Sequence, residues 1–122
     1  MGTSYNAAYR IYKNRTFNVI DQYFKGRYST SPSNSFPFGV IDSAAGAVAF
    51  ASGVQTINEA VGVDASNNPI GSILTAAKRK GKGTGIVCTK TVTDATTAAF
   101  NAHSMWRYWD HLIADQQVRA HK

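Results

Sequence analysis

The sequence predicts an α/β fold, a mainly parallel central sheet flanked by helices, of which these residues form a portion. Two stretches predict it. In the first, Ser72 precedes Ile73-Leu74-Thr75-Ala76-Ala77-Lys78-Arg79-Lys80, Gly81 closes it, and the continuous apolar run Thr84-Gly85-Ile86-Val87-Cys88-Thr89 follows. Helix, glycine turn and buried strand in succession make half of a βαβ unit. In the second, Val40-Ile41 runs into Asp42-Ser43 and then the small residues Ala44-Ala45-Gly46-Ala47. That pattern reads as an extended segment turning into a helix, with Ser43 at or near its N-cap and Gly53 as its stop.

The other elements follow in order. Thr3 to Lys13 reads as a helix with Tyr5, Ala8, Tyr9 and Tyr12 on one packing stripe, and Phe17 to Phe24 as a short helix ending near Gly26. Tyr28 to Gly39 is a loop by composition, carrying Pro32, Asn34 and Pro37. Residues 54 to 70 are loop with short irregular structure. A loop holding Asp94 and Thr96 follows the expected strand, then helical Ala98 to His103, and Trp106 opens a last amphipathic helix through Leu112 and Ile113.

At 122 residues the chain is one domain's worth of sequence, 1–122, with 43% hydrophobic and 16% charged residues, the composition of a globular protein rather than a disordered one. No apolar run approaches the roughly 20 residues of a membrane helix, and no leader pattern is visible. Cys88 alone excludes an internal disulfide and a cysteine-based zinc cage, and its setting reads as a buried strand thiol. His103, His111 and His121 lack paired metal spacing. The net charge of +6 points to an anionic partner: nucleic acid, a membrane face or a phosphate-bearing ligand. Lys78, Arg79, Lys80 and Lys82 read as a solvated helix C-terminus, or as a nucleic-acid patch on the rival reading of a non-enzymatic basic binding domain.

Three places carry chemistry. A hydroxyl at Ser43 sits at the positive end of a helix dipole, where phosphate is welcome, although Asp-Ser before an alanine-rich helix is most often only a cap. Asp94 and Thr96 are hard oxygen donors of the type that suits Mg²⁺, in a pattern that also caps helices. Arg107, between aromatics, has a guanidinium fork suited to a phosphate or to stacking on a neighbour.

In order, Asp42-Ser43-Ala44-Ala45-Gly46-Ala47, Ser72-Ile73-Leu74, Thr84-Gly85-Ile86-Val87, Val92-Thr93-Asp94-Ala95-Thr96, Ala98-Ala99-Phe100, Ala102-His103 and Arg107 resemble the alkaline phosphatase family, most of all its fungal vacuolar branch. The resemblance runs from Met1 to about Ile113. It implies a phosphomonoester hydrolase in which Ser43 becomes a phosphoserine, its oxygen held by zinc. Asp42 would help orient Arg107, whose fork holds the phosphate. Asp94 and Thr96 match magnesium-site residues, with Asp at a position where some relatives have His and therefore suited to magnesium over zinc. The substrates implied are phosphate monoesters, with inorganic phosphate as product and no nucleic acid. Relatives are commonly homodimeric and extracytoplasmic, in the vacuole lumen or a secreted or periplasmic space.

The departures are equally specific. Met1-Gly2 matches the end of the family's Asp-Gly-Met-Gly, so the metal-bridging Asp is absent, and the later acidic and histidine ligands are absent as well. Thr91, Thr97 and Val48 stand where relatives often carry Arg, Pro and Thr. The expectation is an internal fragment, inactive alone.

Overall fold

The computed structural model describes residues 3–17, 19–26, 28–33 and 39–119. Five α-helices and one 3-10 helix are present among them: α1 Thr3–Tyr12, the 3-10 turn Val19–Tyr23, α2 Ser43–Ser52, α3 Ile73–Arg79, α4 Ala95–Ala98 and α5 Asp110–Arg119. Met1-Gly2, residues 34–38 and His121 lie outside the described residues.

The centre of the molecule is α2. Ala44, Ala45, Ala47, Val48 and Ala51 are all buried along it. Facing them are Ala95, Ala98, Ala99 and Ala102 from α4 and the turn after it, with Val61 and Ile113 closing the cluster. Methyl-sized side chains let two helices approach closely, and their burial removes apolar surface from water at about 25 cal/mol per Å². The boundaries of α2 have local causes. Asp42 is its N-cap, the side chain accepting from the Ala45 N–H, and Gly53 ends it in the left-handed conformation with φ 77°. Ser43 is therefore the first helical residue and not the cap itself. Ser72 caps α3 through the Thr75 N–H, as the sequence predicts, and Gly81 follows at φ 69°.

Several expectations are corrected. The aromatic stripe of α1 does not pack among the described residues: Tyr5, Tyr9 and Tyr12 are exposed, and α1 is tied to the 3-10 turn by an Arg10–Asp21 ion pair. The helix expected at 98–103 is instead the short α4, Ala95–Ala98, with 99–103 in turn and irregular structure, and Trp106–Trp109 forms a turn before α5 rather than its first turn. The largest difference concerns the sheet. Among the described residues the β pairs are two isolated antiparallel bridges, Val61 with Ser104 and Val63 with Pro69. Residues 84–88 belong to no strand, with Val87 fully exposed and the Cys88 thiol exposed rather than buried. A strand needs a neighbour that pairs with its backbone groups, and among the described residues no bridge involves 84–88.

The Val61–Ser104 bridge brings the chain after α2 against the chain after α4, through N–H···O bonds of 2.8 Å in both directions. Gly62 makes this approach possible. Its φ is +61°, and a Cβ there would stand 2.0 Å from the Ala102 carbonyl oxygen. Gly62→Ala should therefore destabilise the chain by about 3 kcal/mol, combining a positive-φ penalty with overpacking. Gly85→Ala, where nothing lies within 4 Å, is the neutral control. Urea midpoints of the two variants measure the difference.

Asp64 organises the next turn, accepting N–H groups from Ser66 and Asn68 and the Asn68 amide. The Asn68 hydrogen bonds hold its pKa below the ordinary carboxylate value. A depressed folded-state pKa stabilises above the unfolded value and ceases to do so as pH falls through the folded one. Wild type should exceed Asp64→Ala in thermal stability at neutral pH, with the gap closing in strong acid. A gap that is constant with pH would contradict this.

Candidate active site

Ser43 lies exposed at the start of α2, where the first-turn N–H groups have no helical carbonyl to bond. Arg107 arrives from the turn before α5 and donates from Nη1 to Ser43 Oγ at 2.8 Å and to Asp42 Oδ2 at 3.2 Å. Its Nη2 lies 3.5 Å from Asp94 Oδ1, which also takes Lys90 Nζ at 3.1 Å. The Arg107 side chain, 16% exposed, thus joins the α2 start to the loop before α4, with Tyr108 beside it at 5.7 Å from Cζ to the ring centre.

The sequence-derived residues Asp42, Ser43, Asp94 and Arg107 therefore meet at one place, though they span the chain. Thr96 is exposed in the first turn of α4 and lines a groove with Ile73, Leu74 and residues 83–87. Asp94 stands at the N-cap position of α4 without a side-chain cap bond, which leaves its carboxylate to the two cations.

Two residues that sequence reasoning passes over complete the site. The Asn58 Oδ1 accepts the Asp42 N–H at 2.9 Å while its Nδ2 donates to the Val40 carbonyl at 2.9 Å. The Glu59 N–H donates to Asp42 Oδ2 at 3.0 Å, and the Glu59 carbonyl accepts the Arg107 N–H at 2.9 Å. Glu59 does this at φ 72°, a conformation unusual for a residue with a Cβ. The sequence predicts loop with short irregular structure over residues 54 to 70, and the positive-φ residue within it carries no glycine or asparagine signal. His103, four residues before Arg107, is not part of this cluster: its Nδ1 pairs with the Gly62 carbonyl at 2.6 Å.

The donor set fits metals unequally. Asp94 offers a hard carboxylate that already gathers positive charge and suits part of a magnesium shell, and Thr96, two residues on, offers a hard hydroxyl oxygen at the edge of the neighbouring groove. No group of three or more His, Cys, Asp or Glu side chains able to hold a metal exists among the described residues, so a zinc cage does not fit them. No side-chain base hydrogen-bonds Ser43 among the described residues.

An exposed serine hydroxyl at a helix start, hydrogen-bonded by an arginine backed by carboxylates, is an arrangement suited to an anion. The alkaline phosphatase family matches over residues 1–122. Alkaline phosphatase 3 of Bacillus subtilis is 41% identical over 121 residues, covering 94% of this chain and 26% of that protein. The alkaline phosphatase of Schizosaccharomyces pombe is 48% identical over 99 residues, 81% of this chain and 18% of that protein. Among solved structures, a cold-active alkaline phosphatase from a psychrophilic Shewanella superposes with a TM-score of 0.91 at 34% identity, covering 98% of this chain and 31% of that one. A histidine-to-aspartate variant of the TAB5 alkaline phosphatase, with magnesium bound in its M3 site, superposes with a TM-score of 0.79 at 34% identity, covering 93% of this chain and 32% of that one. The chain belongs to the alkaline phosphatase family and has an alkaline-phosphatase-like fold. It spans about a quarter of the length of the Bacillus relative.

Asp42 serves α2 and Arg107 through different oxygens, which separates the effects of substitution. Asp42→Ala should cost about 2 kcal/mol through the lost cap and the stranded guanidinium, and Asp42→Asn about half of that, because an amide oxygen still caps. Thermal denaturation of both variants checks the order.

Proposed function

We propose that the protein is a phosphomonoester hydrolase with Ser43 as nucleophile. The observation that carries this is the 2.8 Å hydrogen bond from Arg107 to Ser43 Oγ at the start of α2, which puts an anion clamp and a hydroxyl within one phosphate's width. Ser43 Oγ forms a bond to phosphorus, the phosphorus–oxygen bond to the alcohol breaks, and the alcohol leaves with a proton. Water then attacks the phosphoserine, releasing inorganic phosphate and restoring Ser43. Arg107 turns its fork from Ser43 and Asp94 onto two phosphate oxygens, while Asp42 keeps hold of Nη1 and fixes the direction of the fork.

Magnesium, held in part by Asp94 and Thr96, would supply fixed positive charge beside the phosphate. The magnesium-bound aspartate variant of the TAB5 enzyme supports a carboxylate in that role. Apart from the Ser43 oxygen, the zinc implied by the family resemblance would take its ligands from outside the described residues. The further reading is of a portion of a longer enzyme in which residues 84–88 become a strand of a parallel sheet. The exposed Val87 and the length of the relatives support it. Assignment to the fungal vacuolar branch rests on the 48% identity to the fission-yeast enzyme. A homodimeric state and an extracytoplasmic location belong to the same reading.

Two expectations test it. The 122-residue chain alone should not turn over p-nitrophenyl phosphate with zinc and magnesium present, because Ser43 is held by a donor and not by a base. Zinc-dependent turnover that disappears in Ser43→Ala would refute that. A chimera carrying this chain in place of the matching stretch of Bacillus subtilis alkaline phosphatase 3 should be active. Ser43→Ala should abolish its activity, and Arg107→Ala should lower kcat/KM by about 10²- to 10³-fold. Activity surviving Ser43→Ala would end the nucleophile assignment.

A further inference from the structure

We infer that Asn58 is a positioning residue that sets Ser43 and Arg107 in register with each other, an inference resting on the reading of Ser43 as nucleophile. Its two amide bonds grip the backbone on both sides of Ile41, at the Val40 carbonyl and the Asp42 N–H. The segment entering α2 is therefore fixed from outside the helix, immediately before Ser43. The next residue, Glu59, carries the tie onward by its backbone alone, with its N–H on Asp42 Oδ2 and its carbonyl on the Arg107 N–H. The Arg107 side chain returns to Asp42 and Ser43 and closes the ring.

The ring joins three parts of the chain distant in sequence, and each bond in it lies between 2.8 and 3.2 Å. Glu59 holds a positive φ of 72° within it, so the turn is kept in an uncommon conformation by what it binds. A truncated Asn58 would leave the α2 cap and the Arg107–Asp42 pair in place and remove only the link that fixes the approach of Asp42 and Ser43 to the 58–59 turn. A nucleophile displaced by a fraction of an ångström from its clamp loses rate steeply.

The test uses the chimera described above. Asn58→Ala should lower kcat/KM by about tenfold or more in the unsubstituted background, and by less than about threefold when Arg107→Ala is already present, because the two act through one geometry. A purely structural asparagine would cost the same factor in both backgrounds, and that result would overturn the inference. Hydrogen exchange on the same proteins reads the tie without activity. In Asn58→Ala the Asp42, Glu59 and Arg107 amides should lose protection together while the Val61 and Ser104 amides keep theirs. Unchanged protection at Arg107 would overturn the inference whatever the rates. Activity that ignores Ser43→Ala would instead defeat the nucleophile assignment, and the exchange result would still decide whether Asn58 couples the two loops.

Discussion

The Asp42 carboxylate is the interaction on which the described structure depends. One oxygen ends the backbone demand of α2 at Ala45, and the other is shared between the Glu59 N–H and Arg107. A single side chain thereby starts the central helix, anchors the following turn and orients the guanidinium. An acidic group at a helix N-terminus also gains from the dipole, so capping and charge favour the same placement. Because Arg107 reaches Asp94 as well, the loop before α4 is connected to the α2 start by charge in addition to the alanine packing behind it.

Much of this was legible in the residues. Asp-Ser before an alanine run gives the start of α2 because carboxylate, hydroxyl and helix propensity act locally, and Gly53 ends it for equally local reasons. Ser72 and Gly81 bound α3 in the same way. The meeting of Ser43, Asp94 and Arg107 was legible only through family resemblance, since no periodicity links residues so far apart. Asn58 and Glu59 escaped because their role lies in amide geometry and backbone groups, which any residue type carries. Thr84 to Thr89 stays unpaired among the described residues for a different reason. A β-rich apolar run records a preference for a sheet, and the sheet itself requires a second segment alongside.

That unmet preference also explains the uneven distribution of burial. Among the described residues the interior is made almost wholly by α2, α4 and the segments that follow them, with Ile113 the largest fully buried side chain. The apolar face of 84–88 and the aromatic face of α1 lie outside that interior, with Ile11, Tyr12 and Val87 among their most exposed side chains. Edges of this kind invite pairing with another chain unless something covers them.

The alanine interface has a further consequence. Leucine or phenylalanine between two helices can change rotamer and let the helices shift to a second seating, whereas alanine has no side-chain torsion to change. Ala44, Ala47, Ala95, Ala98 and Ala99 therefore have no rotamer with which to repack this interface, and on α2 Val48 is the cluster member with a torsion to change. Ser43 thus stands at the start of a helix whose alanine contacts with α4 add no side-chain ordering cost of their own when the chain folds.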